Sequence, residues 1–138
     1  MFLPHNSTVS VSDGRSIKVF RNAGTDINPR LEPEADPQLV AAGHGSGGRH
    51  HSSTANPDAH QLDEDSYAAS VAHWLNSEVL AGRIEHLVVV APPRTLGEMR
   101  LHFHEELRKR LLTEIAREMS QSSATELLHA ITEARSGE

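Results

Sequence analysis

The stretch Leu87-Val-Val-Val-Ala-Pro-Pro-Arg-Thr95 decides the fold class of this chain. It begins with an unbroken run of apolar side chains, which is typical of a strand that is buried on both faces and lies parallel to its neighbours. The two prolines end the strand, and Thr95-Leu-Gly-Glu98 has the T-x-x-E spacing of a helix capping box. A buried strand followed at once by a helix predicts an α/β fold.

The residues after this stretch predict a helix, a strand and a final helix. The helix is indicated by apolar side chains at helical spacing, namely Leu96, Met99, Phe103, Leu107 and Leu111. Ile115–Met119 is predicted to be a strand, because it would complete a right-handed β-α-β unit with the run at 87–90. Extension of the preceding helix through Ile115–Met119 stays open as an alternative. Ala124–Ala134 is predicted to be the last helix, and its inward-facing residues are Leu127, Leu128 and Ile131.

The residues before the stretch predict a β-hairpin and a third strand. Thr8–Ser12 alternates as a half-buried strand does, Asp13-Gly14 supplies a turn, and Ile17–Phe20 forms the returning strand. Leu31–Leu39 contains two prolines, which cannot donate to a sheet ladder. This segment is therefore predicted to be an edge strand or an extended strap.

One more helix is predicted between the third strand and the buried run. Its apolar positions recur every four residues at Tyr67, Val71, Leu75 and Val79. Acidic residues 63–65 suit the positive end of its dipole, and residue 82 is a glycine suited to its C-terminal cap. The predicted fold is α/β with a mixed sheet, in which an N-terminal β-hairpin and third strand are followed by α-β-α-β-α.

Composition narrows the classes of function. The chain has 138 residues, a formal charge of −6 and no cysteine, so we expect one domain over residues 1–138. The charge argues against an extended nucleic-acid-binding face, and the absence of cysteine excludes thiolate chemistry. No signal-peptide pattern and no apolar run of membrane-spanning length is present. We therefore expect a cytoplasmic protein without a membrane partner.

Residues 43–57 are dominated by glycine, serine and histidine and are predicted to form a flexible loop. The binding candidates in this loop are Gly47, Gly48, Arg49, His50 and His51. Arginine and histidine would engage phosphate or RNA, and the glycines would allow close backbone approach. Metal binding by the histidines is a weaker alternative, since neighbouring histidines are poorly placed to chelate one ion. A solvated loop without a specific role is a third alternative.

Two further groups of residues are candidate sites. Arg94, Thr95 and Arg100 lie around a predicted helix start that follows a strand, where an anion could bind. The alternative is that Thr95 is a helix cap and Arg94 pairs with a carboxylate of residues 63–65. Asp13, Glu64 and Asp65 could hold magnesium as in nucleases, although a turn and a helix start explain the same residues. No complete catalytic signature is present, and we expect no cofactor.

Several stretches resemble the bacterial host attachment proteins, a family described as required for attachment to host cells. These stretches are Val11-Ser-Asp-Gly14, Phe20-Arg-Asn-Ala-Gly24, Gly45-Ser-Gly-Gly-Arg-His-His-Ser-Ser53, Leu87–Gly97 and Met99-Arg-Leu-His-Phe103. The resemblance covers nearly the whole chain. The tail departs from the family pattern, because Arg117-Glu-Met-Ser120 stands where a lysine-aspartate-leucine-threonine stretch is expected.

This family is in turn similar to the central domain of archaeal and eukaryotic peptide-chain release factors. The loop of that domain carries a Gly-Gly-Gln tripeptide that promotes peptidyl-tRNA hydrolysis, whereas this chain has Gly47-Gly48-Arg49. The resemblance therefore implies a loop presented to RNA, the ribosome or another protein, without the hydrolytic activity. The first hypothesis is a non-enzymatic interaction module. The second is a hydrolase of RNA or an acyl ester that uses loop histidines or the acidic cluster. The sequence does not identify the partner or the oligomeric state.

Overall fold

The computed structural model describes residues 3–40 and 59–136, with only the backbone at 59–62. In this part of the chain the strands are β1 (Thr8–Ser12), β2 (Ile17–Asn22), β3 (Leu31–Pro33), β4 (Leu87–Ala91) and β5 (Leu111–Ala116). The helices are α1 (Ala59–Leu80), α2 (Pro93–Arg100), α3 (Glu105–Arg110) and α4 (Ala124–Ser136). Within these described residues, no helix combines the length and the apolar character needed to cross a membrane.

The strands form one mixed sheet in the order β3-β2-β1-β4-β5. β1 is antiparallel to β2 and parallel to β4, and β4 is parallel to β5. The predicted α/β fold with an N-terminal hairpin is therefore confirmed. The edge position predicted for the proline-containing third strand is also confirmed, although β3 has only three residues. β1 is buried at all five positions rather than half-buried, because it is the central strand and helices cover both sheet faces.

Two apolar clusters lie on opposite faces of the sheet. On one face, α1, α2 and α3 pack against side chains such as Val19 and Val89. On the other face, α4 packs against side chains such as Val9 and Val90. Leu127 and Ile131 of α4 are fully buried and Leu128 is partly buried, as the sequence pattern predicts.

The Phe20–Gly24 motif has a structural explanation in Asn22, which is completely buried. Its Nδ2 donates to the carbonyl oxygens of Leu3, Pro4 and Thr25, and its Oδ1 accepts from the backbone N–H groups of Gly24 and Arg30. One amide side chain thus satisfies the backbone of three segments at the end of β2. Gly24 is held against the returning chain, since a Cβ there would lie 2.4 Å from the backbone oxygen of Asn28.

The prediction of one continuous helix through Leu111 is wrong. The helix ends at Arg100, and α3 begins again at Glu105 with the His104 side chain accepting from the N–H of Glu106. The side chain of Asn76 in α1 pairs with the backbone groups that the break leaves open. Its Nδ2 donates to the carbonyl oxygen of His102 at 2.8 Å, and its Oδ1 accepts from the N–H of His104 at 2.9 Å. The apolar spacing could not reveal this break, because Leu96, Met99, Phe103 and Leu107 still share one apolar cluster.

Three predicted boundaries also need correction. α2 begins at Pro93 and has no side-chain cap, so Thr95 is not a helix cap; proline suits the first helical position because its φ is already helical. α1 begins at Ala59, which places the acidic residues 63–65 inside the helix instead of at its start. The last strand is Leu111–Ala116, so that it starts four residues and ends three residues before the predicted Ile115–Met119.

Candidate functional site

The parallel strands β1, β4 and β5 end along one edge of the sheet, which we call the carboxyl edge. It consists of Asp13 after β1, residues 92–95 after β4 and residues 117–120 after β5. In α/β sheets, ligands bind preferentially outside the carboxyl ends of the strands. The carboxyl edge is therefore the first place to look for a site.

The N-terminal half of α1 packs across this edge. Glu64 lies directly against Gly14 in the hairpin turn, and Asp65 is 3.9 Å from the guanidinium group of Arg94 in the ion pair that joins α1 to α2. This pair is the alternative that the sequence raised for Arg94. Because both contacts come from the first half of α1, the helix is fixed to β1 and β4 at their carboxyl ends.

Asp13 organises the turn that follows β1. Its Oδ1 accepts hydrogen bonds from the backbone N–H groups of Arg15 and Ser16, both at 2.7 Å, and from the Ser16 hydroxyl at 3.2 Å. Partial burial acts to raise the pKa of Asp13, but these bonds and one from the Ser120 side chain outweigh it and lower the pKa below its ordinary value. Asp13 is consequently a stable carboxylate and a poor proton acceptor near neutral pH.

The sequence did not single out Ser120, which connects β1 to the end of β5. Its hydroxyl is almost completely buried and contacts the carboxylates of Glu118 and Asp13. A hydroxyl carries one proton, so it can donate to only one of them at a time. Lys18 of β2 donates to the Ser120 carbonyl oxygen at 2.8 Å. The available signal was the departure of residues 117–120 from the family pattern.

The pKa of Tyr67 links the two segments that flank residues 41–58, because it responds to a carboxylate on the other flank. Burial raises the pKa of its hydroxyl, and the nearby carboxylates of Asp13 and Asp36 raise it further. Asp36 belongs to the chain before residues 41–58, and Tyr67 belongs to α1 after them. The two flanks therefore lie within electrostatic range of each other and of Asp13.

The candidates Arg94, Thr95 and Arg100 do not converge. Arg94 is in the first turn of α2 and Arg100 in its last, which separates them by about 9 Å along the helix axis. Arg100 donates to Glu114 Oε1 of β5 at 2.7 and 3.0 Å. Each arginine thus has a carboxylate partner, and anion binding by this trio stays a prediction.

Glu64 lies against the hairpin turn that Asp13 organises. In the two described ranges of the chain, no three His, Asp or Glu side chains are grouped closely enough to hold a metal ion. The Asp13 carboxylate is already occupied by the turn, which explains its presence without magnesium. Magnesium binding by Asp13, Glu64 and Asp65 stays a prediction.

The comparison with known families agrees with this architecture. The model of the Bacterial archaeo-eukaryotic release factor family 12 matches residues 6–131. The chain belongs to this family. No curated protein matches it in sequence. The release-factor resemblance inferred from the motifs is therefore confirmed, and the name host attachment stays a prediction.

The binding candidates of the predicted loop at 43–57 lie outside the described residues. They are Gly47, Gly48, Arg49, His50 and His51. For this release-factor-like chain the structure therefore gives the anchoring of α1, which follows the loop, at the carboxyl edge. The chemistry of the loop rests on the sequence.

Proposed function

We propose that this chain is a non-enzymatic module that binds RNA or the translation apparatus in the cytoplasm through the segment at 43–57. One observation carries the proposal. The release-factor-like family spans residues 6–131, while Arg49 stands where the resemblance assigns the glutamine of the Gly-Gly-Gln tripeptide. The similarity to release factors then concerns recognition and not hydrolysis.

The chemistry of Arg49 supports binding without catalysis. A guanidinium group is permanently charged and has five donors and no acceptor. It can neutralise a phosphate and hydrogen-bond to it, but it cannot take a proton from a water molecule. The preceding Gly47 and Gly48 have no side chains that would keep a nucleic-acid backbone away.

The geometry of the flanks supports presentation of the segment to a partner. Asp36 before the segment and Asp13 both raise the pKa of Tyr67 after it, and Glu64 packs on Gly14. The helix that follows the segment is thus fixed to the carboxyl edge by packing. Binding residues of many proteins are carried in this way on a connection positioned by a fixed scaffold.

The alternative of a hydrolase receives less support. The lowered pKa of Asp13 and its bonds in the turn disfavour it as a general base. Ser120 is almost completely buried, which disfavours it as a nucleophile for a large substrate. A role in host attachment would be an indirect result of the binding proposed here.

The test combines sedimentation with ribosomes and a peptide-release assay. We expect the wild-type protein to co-sediment with ribosomes at low salt, and Arg49→Ala to weaken this several-fold. Arg30→Ala is the matched control. Arg30 is an exposed arginine that pairs with Glu32, and it lies at the end of the sheet away from the carboxyl edge. Loss of binding at higher salt would indicate phosphate contacts.

Neither the wild type nor Arg49→Ala should release peptide from stalled ribosomes. Release by the wild type would overturn the non-enzymatic proposal and support a hydrolase. Absence of binding both to ribosomes and to total RNA at low salt would overturn the proposed partner.

A further inference from the structure

Positive charge is concentrated around the last strand of an otherwise acidic chain. The chain has a formal charge of −6, yet residues 108–117 contain four arginine or lysine residues and one glutamate, a local charge of +3. The remaining residues therefore carry −9. Residues 108–117 comprise the end of α3, the whole of β5 and Arg117, which follows β5. A basic stretch in an acidic chain attracts polyanions to one part of the surface.

Three arginines of this stretch have no carboxylate partner. Among the residues that the structure describes, the side chains of Arg110 and Arg117 make no hydrogen bond or ion pair, and Arg108 donates only to a backbone carbonyl oxygen, at 2.8 Å. All three are exposed. By contrast, the exposed Arg83 makes three bonds of 2.8 to 3.0 Å with Glu78. The helix dipole accounts for basic residues at the end of α3, but Arg117 follows a strand.

The neighbouring carboxylates leave this positive excess in place. Glu114, the one acidic residue of the stretch, accepts two bonds of 2.7 and 3.0 Å from Arg100 of α2. Glu106 of α3 is paired with Lys109 at 3.1 Å. With Glu118 counted as well, residues 108–118 still carry +2. The charges of the three unpaired arginines are therefore available to a ligand.

The strand between these arginines lies at the edge of the sheet. β5 is the outermost strand, so within the described ranges its outer side has no strand partner. A free strand edge carries backbone N–H and C=O groups that are not paired in the sheet. Arg110 directly precedes β5 and Arg117 directly follows it, which places them at opposite ends of a strand about 20 Å long. We call residues 110–117 the β5 edge.

The β5 edge is continuous with the carboxyl edge. Arg117 begins the group of residues 117–120 at the carboxyl edge, where Glu64 fixes the helix that follows the segment at 43–57. Arg110 lies at the other end of the strand. A long partner that is held by the segment at 43–57 could therefore continue along β5.

The irregularity of β5 favours a phosphate backbone over an added peptide strand. The register with β4 shifts so that Leu112 has no partner between Leu111 and Thr113, and a bulge of this kind bends a strand and interrupts its ladder. Arg135 of α4 also donates to the Leu112 carbonyl oxygen at 3.3 Å, which occupies that acceptor. Phosphate contacts need no strand register, and a guanidinium group can bind a phosphate through two donors.

We propose that the β5 edge binds the phosphate backbone of single-stranded RNA, and that Arg108, Arg110 and Arg117 neutralise phosphates along it. The choice of RNA rests on the function proposed above, and the β5 edge gives that partner a second contact that is separate from Arg49. Unpaired backbone N–H groups of the strand supply further donors to phosphate oxygens. Contacts of this kind depend little on base sequence.

The test measures binding of a fluorescently labelled, single-stranded RNA of mixed sequence to the full chain by fluorescence anisotropy at several salt concentrations. We expect the double variant Arg110→Ala/Arg117→Ala to bind about tenfold more weakly at low salt. Its plot of log K against log salt should be less steep by about 1.4, since each phosphate contact with a single strand contributes about 0.7.

Two further double variants are the controls. Arg30→Ala/Arg83→Ala removes the same number of charges from exposed arginines that are paired with glutamates outside the β5 edge, and it should keep the wild-type affinity within about twofold and the wild-type salt slope. Arg110→Lys/Arg117→Lys keeps both charges of the β5 edge and should also keep the salt slope. A slope lost in the lysine variant would show that the alanine variant acts through the fold, and would overturn the proposal.

Arg49→Ala, measured in the same assay, separates this proposal from the function proposed above. Weak binding by Arg110→Ala/Arg117→Ala together with normal binding by Arg49→Ala would support the β5 edge and overturn the role of the segment at 43–57. The reverse result would overturn the β5 edge alone. Absence of RNA binding by the wild type at low salt, or binding of polyglutamate as tight as that of RNA, would also overturn the β5 edge as an RNA site.

Discussion

Glu64 of α1 packs so closely onto Gly14 that a Cβ atom at position 14 would lie 2.7 Å from Glu64 Cγ. Gly14 does not have the left-handed φ that is found at Gly82. The glycine of the Asp-Gly turn is therefore explained by the approach of α1, and not by the conformation of the turn itself.

This contact predicts the effect of a single methyl group. Gly14→Ala should destabilise the protein by about 1 to 3 kcal/mol, because Glu64 Cβ at 2.9 Å cannot move without shifting α1. Gly97→Ala is the matched control, since a Cβ there meets nothing within 4 Å on α2. It should stabilise the helix by up to about 1 kcal/mol. Thermal melts of both variants measure these changes. Equal shifts of the melting temperature would contradict the close contact between Glu64 and position 14.

The buried Asn22 predicts a larger loss. Asn22→Ala should lower the free energy of unfolding by about 3 kcal/mol, because several buried backbone groups lose their partner. Asn28→Ala removes an exposed amide from the same connection and should change stability by less than about 0.5 kcal/mol. Urea denaturation measures both. A small effect at position 22 would mean that water replaces the side chain.

The interior position of β4, between β1 and β5, predicts that a charge there prevents folding. Val89 is completely buried, and an unpaired charge costs several kcal/mol against a total stability of about 5 to 15 kcal/mol. Val89→Asp should therefore yield an unfolded chain by circular dichroism. Ile27→Asp, at a position that is 70% exposed, should fold normally. A cooperative melt of Val89→Asp near the wild-type temperature would refute the assignment of β4 to the core.

The lowered pKa of Asp13 predicts a stability that depends on pH. A carboxyl group with a folded-state pKa below its unfolded value stabilises the fold above the unfolded pKa, and this contribution is lost as pH falls through the folded pKa. Asp13→Asn keeps an acceptor for the turn and removes the charge. It should be less stable than wild type at pH 7, and the difference should shrink in acid. A difference that is constant with pH would contradict the role assigned to the charge.

The strands and helices that carry a strong local pattern were predictable from the sequence. The apolar run at 87–91 predicted a buried parallel strand, and the spacing from Tyr67 to Val79 predicted α1. The break between α2 and α3 was not predictable, because it depends on Asn76, which approaches from another helix. The start of β5 was missed for a related reason, since Leu111 continues the helical spacing but packs on the same cluster from an extended backbone.

The candidate site was predictable only in part. Asp13, Glu64 and Arg94 were singled out by their residue types and do lie at the carboxyl edge. Ser120, the partner of Asp13, was missed because it is brought there by sheet order, with β4 placed between β1 and β5. The pocket lined by Thr8, Arg21 and Trp74 at the start of β1 depends on the pairing of Thr8 with Arg21 and on the passage of α1 above them. No local pattern in the sequence carries that information.

The sheet order has a consequence for the protein during its synthesis. One edge of β1 pairs with β2, which follows after a short turn. The other edge pairs with β4, and the partner of Thr8 there is Leu87, which is synthesised 79 positions later. At about 5 to 20 residues per second, translation leaves that edge uncovered for roughly 4 to 16 seconds. A strand edge of this kind is a template for aggregation. Thr8, Ser10 and Ser12 replace apolar side chains on one face of β1, and the buried hydroxyl of Ser10 has no partner among the described residues. The unpaired hydroxyl of Ser10 lowers the stability of the finished core. The polar side chains of Thr8, Ser10 and Ser12 also leave the nascent hairpin with less apolar surface that could aggregate.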